Sequence, residues 1–516
     1  MIVPVKLVVG NLRSSFESDF PVDIVDAATS CFSSGYQYSH AYRRRVAGGK
    51  RAWDGKIHLL NVLGRTLPTG AVPMAVKALQ AAGYEVRIRF QEEAKLLPIV
   101  GDVTLPLGGL TPRDYQIAAV NAVLNGSPII GQKGVVRVPT AGGKTLIAAM
   151  ILNALQVPGI VLVHGQNLVD QTVKELRRLL GKRTVGILMA EDFEPGQYLV
   201  ASVDTIASRL KRKDPEIGAL LRGKQVLIAD EAHRVGGGTS TFQKVMDACP
   251  ASVRVGMSGT PFKKTVDVDM LLMSRTGSLL YDVLPSALQA LGHLSQADLI
   301  VYDVGGVPEP ELSWREAMNK LVFRRTNRSR FIAETCLDLA LKGRKILLIA
   351  GNSVEFTHNL EIAWKAAVVA RNEKADTIVV PGARFVTGTS GREAVNDAVD
   401  ALRDGRISLL CNTVLFDEGT NVPDLDVVVL ACPGKSFVRV MQRIGRGLRP
   451  KIGRLLVIDF FDSGNQYLVR HFFSRLGTYE SEDLFEDISF KEVTLATEEK
   501  VEETEDSEEI EEYELA

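Results

Sequence analysis

Eight residues, Val138–Pro139–Thr140–Ala141–Gly142–Gly143–Lys144–Thr145, stand between an apolar run at Gly134–Val136 and a helical pattern at Leu146–Leu155. A strand, a Gly-rich loop and a helix in that order form a cradle for phosphates, because the loop N–H groups point inward at a helix N-terminus. Thr140, Ala141, Gly142 and Gly143 supply that backbone, Lys144 can reach the β- and γ-phosphates, and the Thr145 hydroxyl can ligate Mg²⁺. Val138 occupies the place where such loops usually begin with Gly, so the loop alone is an incomplete signature. A second cluster, Asp230–Glu231–Ala232–His233, begins 86 residues after Lys144, directly behind the apolar run Val226–Ala229. There Asp230 can hold Mg²⁺ while Glu231 orients and activates an attacking water. The two clusters together imply Mg²⁺-dependent hydrolysis of ATP.

Residues up to about 100 read as short strands (Ile2–Val9, Ile57–Leu63, Tyr84–Phe90) and helices (Ile24–Phe32, Val72–Ala82), an α+β module with no nucleotide motif. Apolar strands then alternate with helices: Gly134–Val138, Gly159–Val163, Tyr198–Ser202, Gln225–Ala229 and Ser252–Met257. The alternation pauses from Asp267 to about Lys320 and resumes at Lys345–Ala350, Asp376–Val380, Ile407–Cys411, Asp426–Ala431 and Arg454–Asp459. Such alternation predicts two parallel-sheet α/β domains with helices on both faces. The expected boundaries are 1–104 for the N-terminal module, 105–285 for the first α/β domain, 286–480 for a connector and the second, and 481–516 for an acidic tail. Lys144, Asp230 and the Ser258–Gly259–Thr260 segment all fall just past strand C-termini, where open α/β sheets carry their sites.

The formal net charge of −1 conceals an asymmetry. Glu498–Ala516 holds eleven acidic residues and one Lys, leaving the rest of the chain at +9. A basic body suits a polyanionic partner. The tail is too polar to build a core and is expected to be disordered, serving solubility, docking another protein or mimicking DNA. Five scattered cysteines without C-x-x-C spacing (Cys31, Cys249, Cys336, Cys411, Cys432) suit a reducing compartment and argue against structural zinc. No stretch of 18 apolar residues and no basic, apolar leader are present, so the expectation is a cytoplasmic protein without a membrane segment.

From Leu110 to Pro450 the chain resembles the superfamily 2 helicases and translocases, with eight motifs in the family's order. Leu110–Gln116 is similar to the adenine-recognising segment, Pro139–Thr145 to motif I, and Leu162–Gln166 with Leu168 and Gln171 to motif Ia. Ala201–Ile206 is similar to Ib, Asp230–His233 to II, Met257–Pro261 to III, Asn412–Pro423 to V and Gln442–Pro450 to VI. The resemblance implies two tandem RecA-like domains, with Gln116 and Arg113 addressing the adenine, Gly419 near the nucleotide, and His233, Ser258 and Thr260 coupling that site to the nucleic-acid face. Arg443, Arg446 and Arg449 stand three apart, which on a helix gathers them along one side. By itself that spacing suits a solvated face; the resemblance implies that Arg446 and Arg449 are arginine fingers, with Gln442 beside them at the reaction centre. Ala141 and Asn421 stand where many relatives have Gly and Asp, and activity is expected to survive both changes.

For nucleic acid, Gln166, Thr205 and Thr413 head helices or loops whose N–H groups can meet backbone phosphates, or else are ordinary helix caps. In the N-terminal module Arg43, Arg44, Arg45, Lys50, Arg51 and Lys56 surround Trp53. Basic groups bind phosphates and an exposed Trp stacks on a base; the alternative is a core Trp beneath a solvated basic face. Trp53–Asp54–Gly55 before a Lys/Ile/Leu strand, followed by Pro68–Thr69–Gly70, resembles the N-terminal module of UvsW-type phage helicases, and the overall build is similar to the helicase portions of RecG and XPB. That resemblance implies a monomeric ATP-dependent helicase that remodels forks and four-way junctions in recombination, repair and replication, in a bacterial host's cytoplasm if phage-encoded. A duplex translocase, an RNA helicase and a non-catalytic clamp are the alternatives.

Overall fold

A computed structural model describes residues 4–46, 53–237, 241–262, 265–351, 353–373, 382–412, 425–432, 434, 445, 448 and 453–495. The N-terminal module is built on a four-stranded sheet ordered Thr66–Pro68, Arg13–Phe16, Val5–Val9, Val86–Phe90. Val5–Val9 runs antiparallel to Arg13–Phe16 and parallel to Val86–Phe90, a crossover made possible by the helix Val72–Ala81. The helix expected over Ile24–Phe32 instead spans Val22–Ala28. It stops at Thr29, and Ser30–Phe32 becomes a strand antiparallel to Lys56–His58. Pairing with a segment distant in sequence supplies the backbone partners that a longer helix would have kept local.

The first α/β domain holds eight strands in the order Asp192–Glu194, Val185–Met189, Tyr198–Ser202, Gly159–Val163, Val226–Asp230, Val253–Ser258, Lys133–Arg137, Leu279–Asp282. Every pairing is parallel except that of the edge strand Asp192–Glu194. Gly159–Val163 and Tyr198–Ser202 are buried at every position, as strands covered on both faces must be. The helix Lys144–Leu155, which carries the phosphate loop, buries nine of its twelve residues. At roughly 1.5–3 kcal/mol for each fully buried large apolar side chain, this anchors the loop's base firmly.

The second domain has seven parallel strands ordered Ala383–Val386, Leu409–Asn412, Ile346–Ile349, Val427–Leu430, Leu455–Phe461, Ala297–Asp303, Asp487–Glu492. The expected pause between Asp267 and Lys320 is therefore corrected. It contains the helix Val266–Thr276, the edge strand Leu279–Asp282 of the first sheet, and Ala297–Asp303, an inner strand of the second. The tail boundary at 481 is corrected too, since Glu482 is 4% exposed and Asp487–Glu492 pairs with Ala297–Asp303. The acidic composition there reflects a charged edge strand, a common protection against further pairing. Near the other boundary, Leu97, Val103 and Leu107 pack against the first domain's core, and Val100 N donates to Ala154 O, so the chain joins that domain before residue 105. The strand expected at Asp376–Val380 lies outside the described residues.

Candidate functional site

The phosphate loop is pinned from below by the start of the helix Asp114–Asn125. Tyr115 Oη donates to Gly142 O at 2.8 Å, and Gln116 Nε2 approaches the same carbonyl at 3.3 Å. Gln116 Oε1 accepts from Arg113 N at 3.0 Å, closing the helix's own capping box. Gln116 is 4% exposed, and its amide links the helix start, through Oε1, to the loop, through Nε2. Gly143 has φ +80° and its missing β-carbon leaves room for Gln116 Nε2, so glycine is required there twice over. Ala141 also sits at positive φ (67°) without being glycine, a strain that functional loops retain.

Above the loop, Lys144 Nζ lies 3.4 Å from Glu231 Oε1, with Asp230 adjacent. Glu231 has φ 50° and ψ 50°, a left-handed conformation uncommon for a non-glycine residue, and it turns the carboxylate back toward Lys144. Burial disfavours every charge here, yet Lys144 and His233 more than offset it for Glu231, whose carboxyl is held well below its usual range. Asp230 moves the other way, raised to about 6 by burial and by the neighbouring Glu231 charge. The paired carboxylates keep Lys144 charged although burial alone would lower its pKa. A carboxylate and a hydroxyl, Asp230 and Thr145, are hard oxygen donors of the kind Mg²⁺ takes, and they could hold that ion. His233 Nδ1 lies 3.1 Å from Ser258 Oγ and 3.3 Å from Glu231 Oε2, while Thr260 N donates to Ser258 Oγ at 3.2 Å. Motifs II and III thus meet through three side chains.

The second domain reaches this site. Gly445 abuts the phosphate loop so closely that a β-carbon there would lie 2.6 Å from Thr140 Cβ. Arg137, the last residue of the strand before the loop, donates through Nη2 to Glu482 Oε1 at 2.6 Å. Its Nε faces Gly259 O at 3.4 Å and its Nη1 Asp282 Oδ2 at 3.5 Å. Sequence reasoning missed Tyr115, Arg137 and Glu482. Tyr115 had a signal in its place beside Gln116, whereas nothing local distinguishes the other two. Gln442, Arg446, Arg449, Thr413 and Gly419 lie outside the described residues.

Of the nucleic-acid candidates, Gln166 is exposed at the first position of the helix Gln166–Leu180, whose N-cap is Gly165. Thr205 is not the N-cap of its helix, Val203–Lys211. Ser202 caps the helix Val203–Lys211, and Thr205 Oγ1 accepts from Ala190 N at 2.9 Å, holding a neighbouring turn. His164 Nδ1 and Asp204 Oδ2, 3.2 Å apart, join the loops of motifs Ia and Ib. In the N-terminal module Trp53 is half-buried, and its indole N–H donates to Lys56 O at 2.6 Å, which braces the loop. Arg43 is exposed on the helix His40–Val46, which also carries Arg44 and Arg45; Lys50 and Arg51 lie outside the described residues. Exposed aromatics were missed: Tyr38 is 72% and Phe32 49% exposed, with Lys56 Nζ 5.2 Å from the Phe32 ring centre. Among the described residues, no helix is long and apolar enough to cross a membrane.

Two parallel-sheet domains meeting over a Gly-rich phosphate loop define a tandem RecA-like ATPase architecture. The family model "Type III restriction enzyme, res subunit" matches residues 109–263, and "Helicase conserved C-terminal domain" matches 339–451. The chain belongs to the superfamily 2 helicases. It is 23% identical over 364 residues to a protein of Sulfolobus islandicus filamentous virus described as a helicase, covering 65% of this chain and 61% of that one. It is 22% identical over 494 residues to the ATP-dependent DNA helicase uvsW of Enterobacteria phage T4, covering 87% of this chain and 91% of the relative. The chain spans less than two thirds of the viral relative's length. Among solved structures, the DUF1998 helicase MrfA bound to DNA shares the fold, with a TM-score of 0.52 and 16% identity, over 75% of this chain and 52% of that one.

Proposed function

We propose that the chain couples Mg²⁺-dependent ATP hydrolysis to movement on DNA and remodels forks and four-way junctions by branch migration or fork regression. The observation that carries this reading is the seating of Gly445, from the second domain, on Thr140 of the phosphate loop. Lys144 would hold the β- and γ-phosphates and Glu231, freed from Lys144, would take up the attacking water. Mg²⁺ held by Thr145 and Asp230 would neutralise phosphate charge. Arg446 and Arg449, approaching from the second domain, would stabilise charge on the transferred phosphoryl, an effect worth about 10³–10⁵ in rate elsewhere. Because one nucleotide needs groups from both domains, each turnover closes and releases them, and the rims carrying Gln166 and Thr413 step along the backbone. His233, Ser258 and Thr260 relay the change between site and rim. The similarity to a phage DNA helicase over most of both chains, and the basic N-terminal helix beside exposed Phe32 and Tyr38, support DNA and branched structures as the substrate.

The test is ATP turnover without nucleic acid and with linear duplex, single-stranded DNA, RNA and a four-way junction, each beside Glu231→Gln. Strong stimulation by the junction, lost in the variant while ATP still binds, is expected. Equal stimulation by linear duplex would favour a translocase, and stimulation by RNA alone would overturn the substrate.

A further inference from the structure

The helix Val266–Thr276 begins five residues after the motif III segment ends at Pro261 and belongs to two structures at once. On one side its first turn packs against the segment that follows Asp230–His233. Gly236, three residues past His233, has no room for a side chain, since a β-carbon would lie 2.0 Å from Val268 O. On the other side Met270 is buried in the N-terminal module's core with Val5, Leu7 and Val72. Further along, Gly70 presses on the helix's last turn, its β-carbon position 2.0 Å from Met273 O.

Between these two faces sits Asp267, 6% exposed. Its Oδ2 accepts from Ser34 N at 2.6 Å and its Oδ1 from Ser34 Oγ at 2.8 Å, across 233 residues of sequence. Val268 N also donates to Oδ1 at 2.9 Å. A buried carboxylate accepting short bonds from one residue's main chain and side chain is a stiff, directional joint, because hydrogen bonds to a charged group are roughly twice as strong as neutral ones. Ser34 in turn stands in the turn leading to Tyr36–Tyr38 and the helix His40–Val46. Ser33 N donates to Gly55 O at 2.9 Å, tying that turn to the loop braced by Trp53.

We infer that Asp267 is a positioning residue that transmits the state of the nucleotide site to the N-terminal module through Ser34. This rests on the ATP-dependent reading above. Rearrangement of Glu231 and His233 on nucleotide binding shifts Gly236, which bears on Val268 in the first turn of the helix, next to Asp267. The displacement passes to Ser34 and re-aims the basic helix and the aromatics Phe32 and Tyr38. The N-terminal module is thereby a nucleotide-responsive grip and not a passive anchor.

The experiment is hydrogen exchange of residues 33–46 in the full chain, with and without a non-hydrolysable ATP analogue and Mg²⁺, in wild type, Asp267→Asn and Ser34→Ala. Asp267→Asn keeps the volume but presents a donor to the two Ser34 donors; Ser34→Ala removes one bond and spares the fold. Direct binding of a fluorescent ATP analogue is measured in parallel. In wild type the analogue is expected to change exchange across 33–46. In Asp267→Asn that change is lost while nucleotide affinity stays within about twofold, and DNA-stimulated turnover falls by about fivefold or more with DNA-free turnover preserved, the range of ordinary coupling energies. Ser34→Ala falls between. Wild type that binds the analogue without change at 33–46 overturns the joint and leaves the ATPase reading standing. Equal loss of basal and stimulated turnover in Asp267→Asn overturns it as well, leaving a purely structural role. Wild type that fails to bind the analogue sinks both.

Discussion

Replacing Glu482 with Ala removes the carboxylate that joins the second domain to Arg137, at the root of the phosphate loop. The pair is shielded, with side chains 18% and 5% exposed. Breaking a buried ion pair by deleting one partner costs about 3–5 kcal/mol, because the surviving charge is left uncompensated. Arg137 keeps the Asp282 carboxylate at 3.5 Å and the Gly259 carbonyl at 3.4 Å, both longer than a good charged hydrogen bond, and its residual exposure admits water. The loss should therefore fall nearer the value of one charged hydrogen bond, about 2 kcal/mol. At tenfold for each ~1.4 kcal/mol, this lowers the ratio of apposed to separated domains by roughly 30-fold. Fluorescence energy transfer between dyes on the outer faces of the two ATPase domains reads that ratio directly. Glu480→Ala, at an exposed position two residues earlier, is the control. An unchanged distance distribution in Glu482→Ala, beside an equally unchanged control, would refute the view that this pair holds the domains together.

Gly445→Ala places a β-carbon 2.6 Å from Thr140 Cβ; overpacking of about 1–3 kcal/mol should lower turnover by roughly five- to more than a hundredfold with little effect on ATP binding, measured as kcat against Kd. Lys133 is buried with Arg254 nearby, and burial first, then that charge, push its ammonium from 10.5 down to about 7. Since the folded value lies below the unfolded one, the penalty is full below pH 7 and fades as pH rises toward 10.5. Lys133→Met should therefore raise the unfolding temperature most at or below pH 7, and the gain should shrink toward pH 10; a pH-independent difference would count against the buried charge. Neutralising Arg43, Arg44 and Arg45 to Gln should flatten the dependence of log DNA affinity on log salt by about 0.9 for each phosphate that these arginines neutralise, read by titration at several salt concentrations.

The chemistry of the nucleotide site was legible in sequence because it is local. A Gly-rich turn between strand and helix, and two carboxylates behind an apolar strand, carry their geometry in their spacing. Gly159–Val163 and Tyr198–Ser202 were bounded correctly for the same reason: strands buried on both faces are continuous apolar runs. What escaped were segments whose roles depend on distant partners. Ser30–Phe32 is a strand only because Lys56–His58 lies beside it. Asp487–Glu492 reads as acidic tail until Ala297–Asp303 supplies its ladder. Trp53, open in sequence between wedge and core, is braced by the Lys56 carbonyl that the loop folds back. Thr205 resembles a cap by position, yet its hydroxyl serves Ala190.

By itself, then, the chain's sequence determined a phosphate loop, its acidic partner, two parallel-sheet domains and a basic N-terminal module. Tertiary structure alone decided how these address one another. Arg137 and Glu482 are 345 residues apart, Ser34 and Asp267 233, and Gly445 meets Thr140 from another domain. No residue in these pairs carries its partner in its spacing, because hydrophobic periodicity specifies which face of an element is buried but not what covers it. That choice is made when whole domains pack, and only then do isolated charges and glycines become a joint, a latch and a seat.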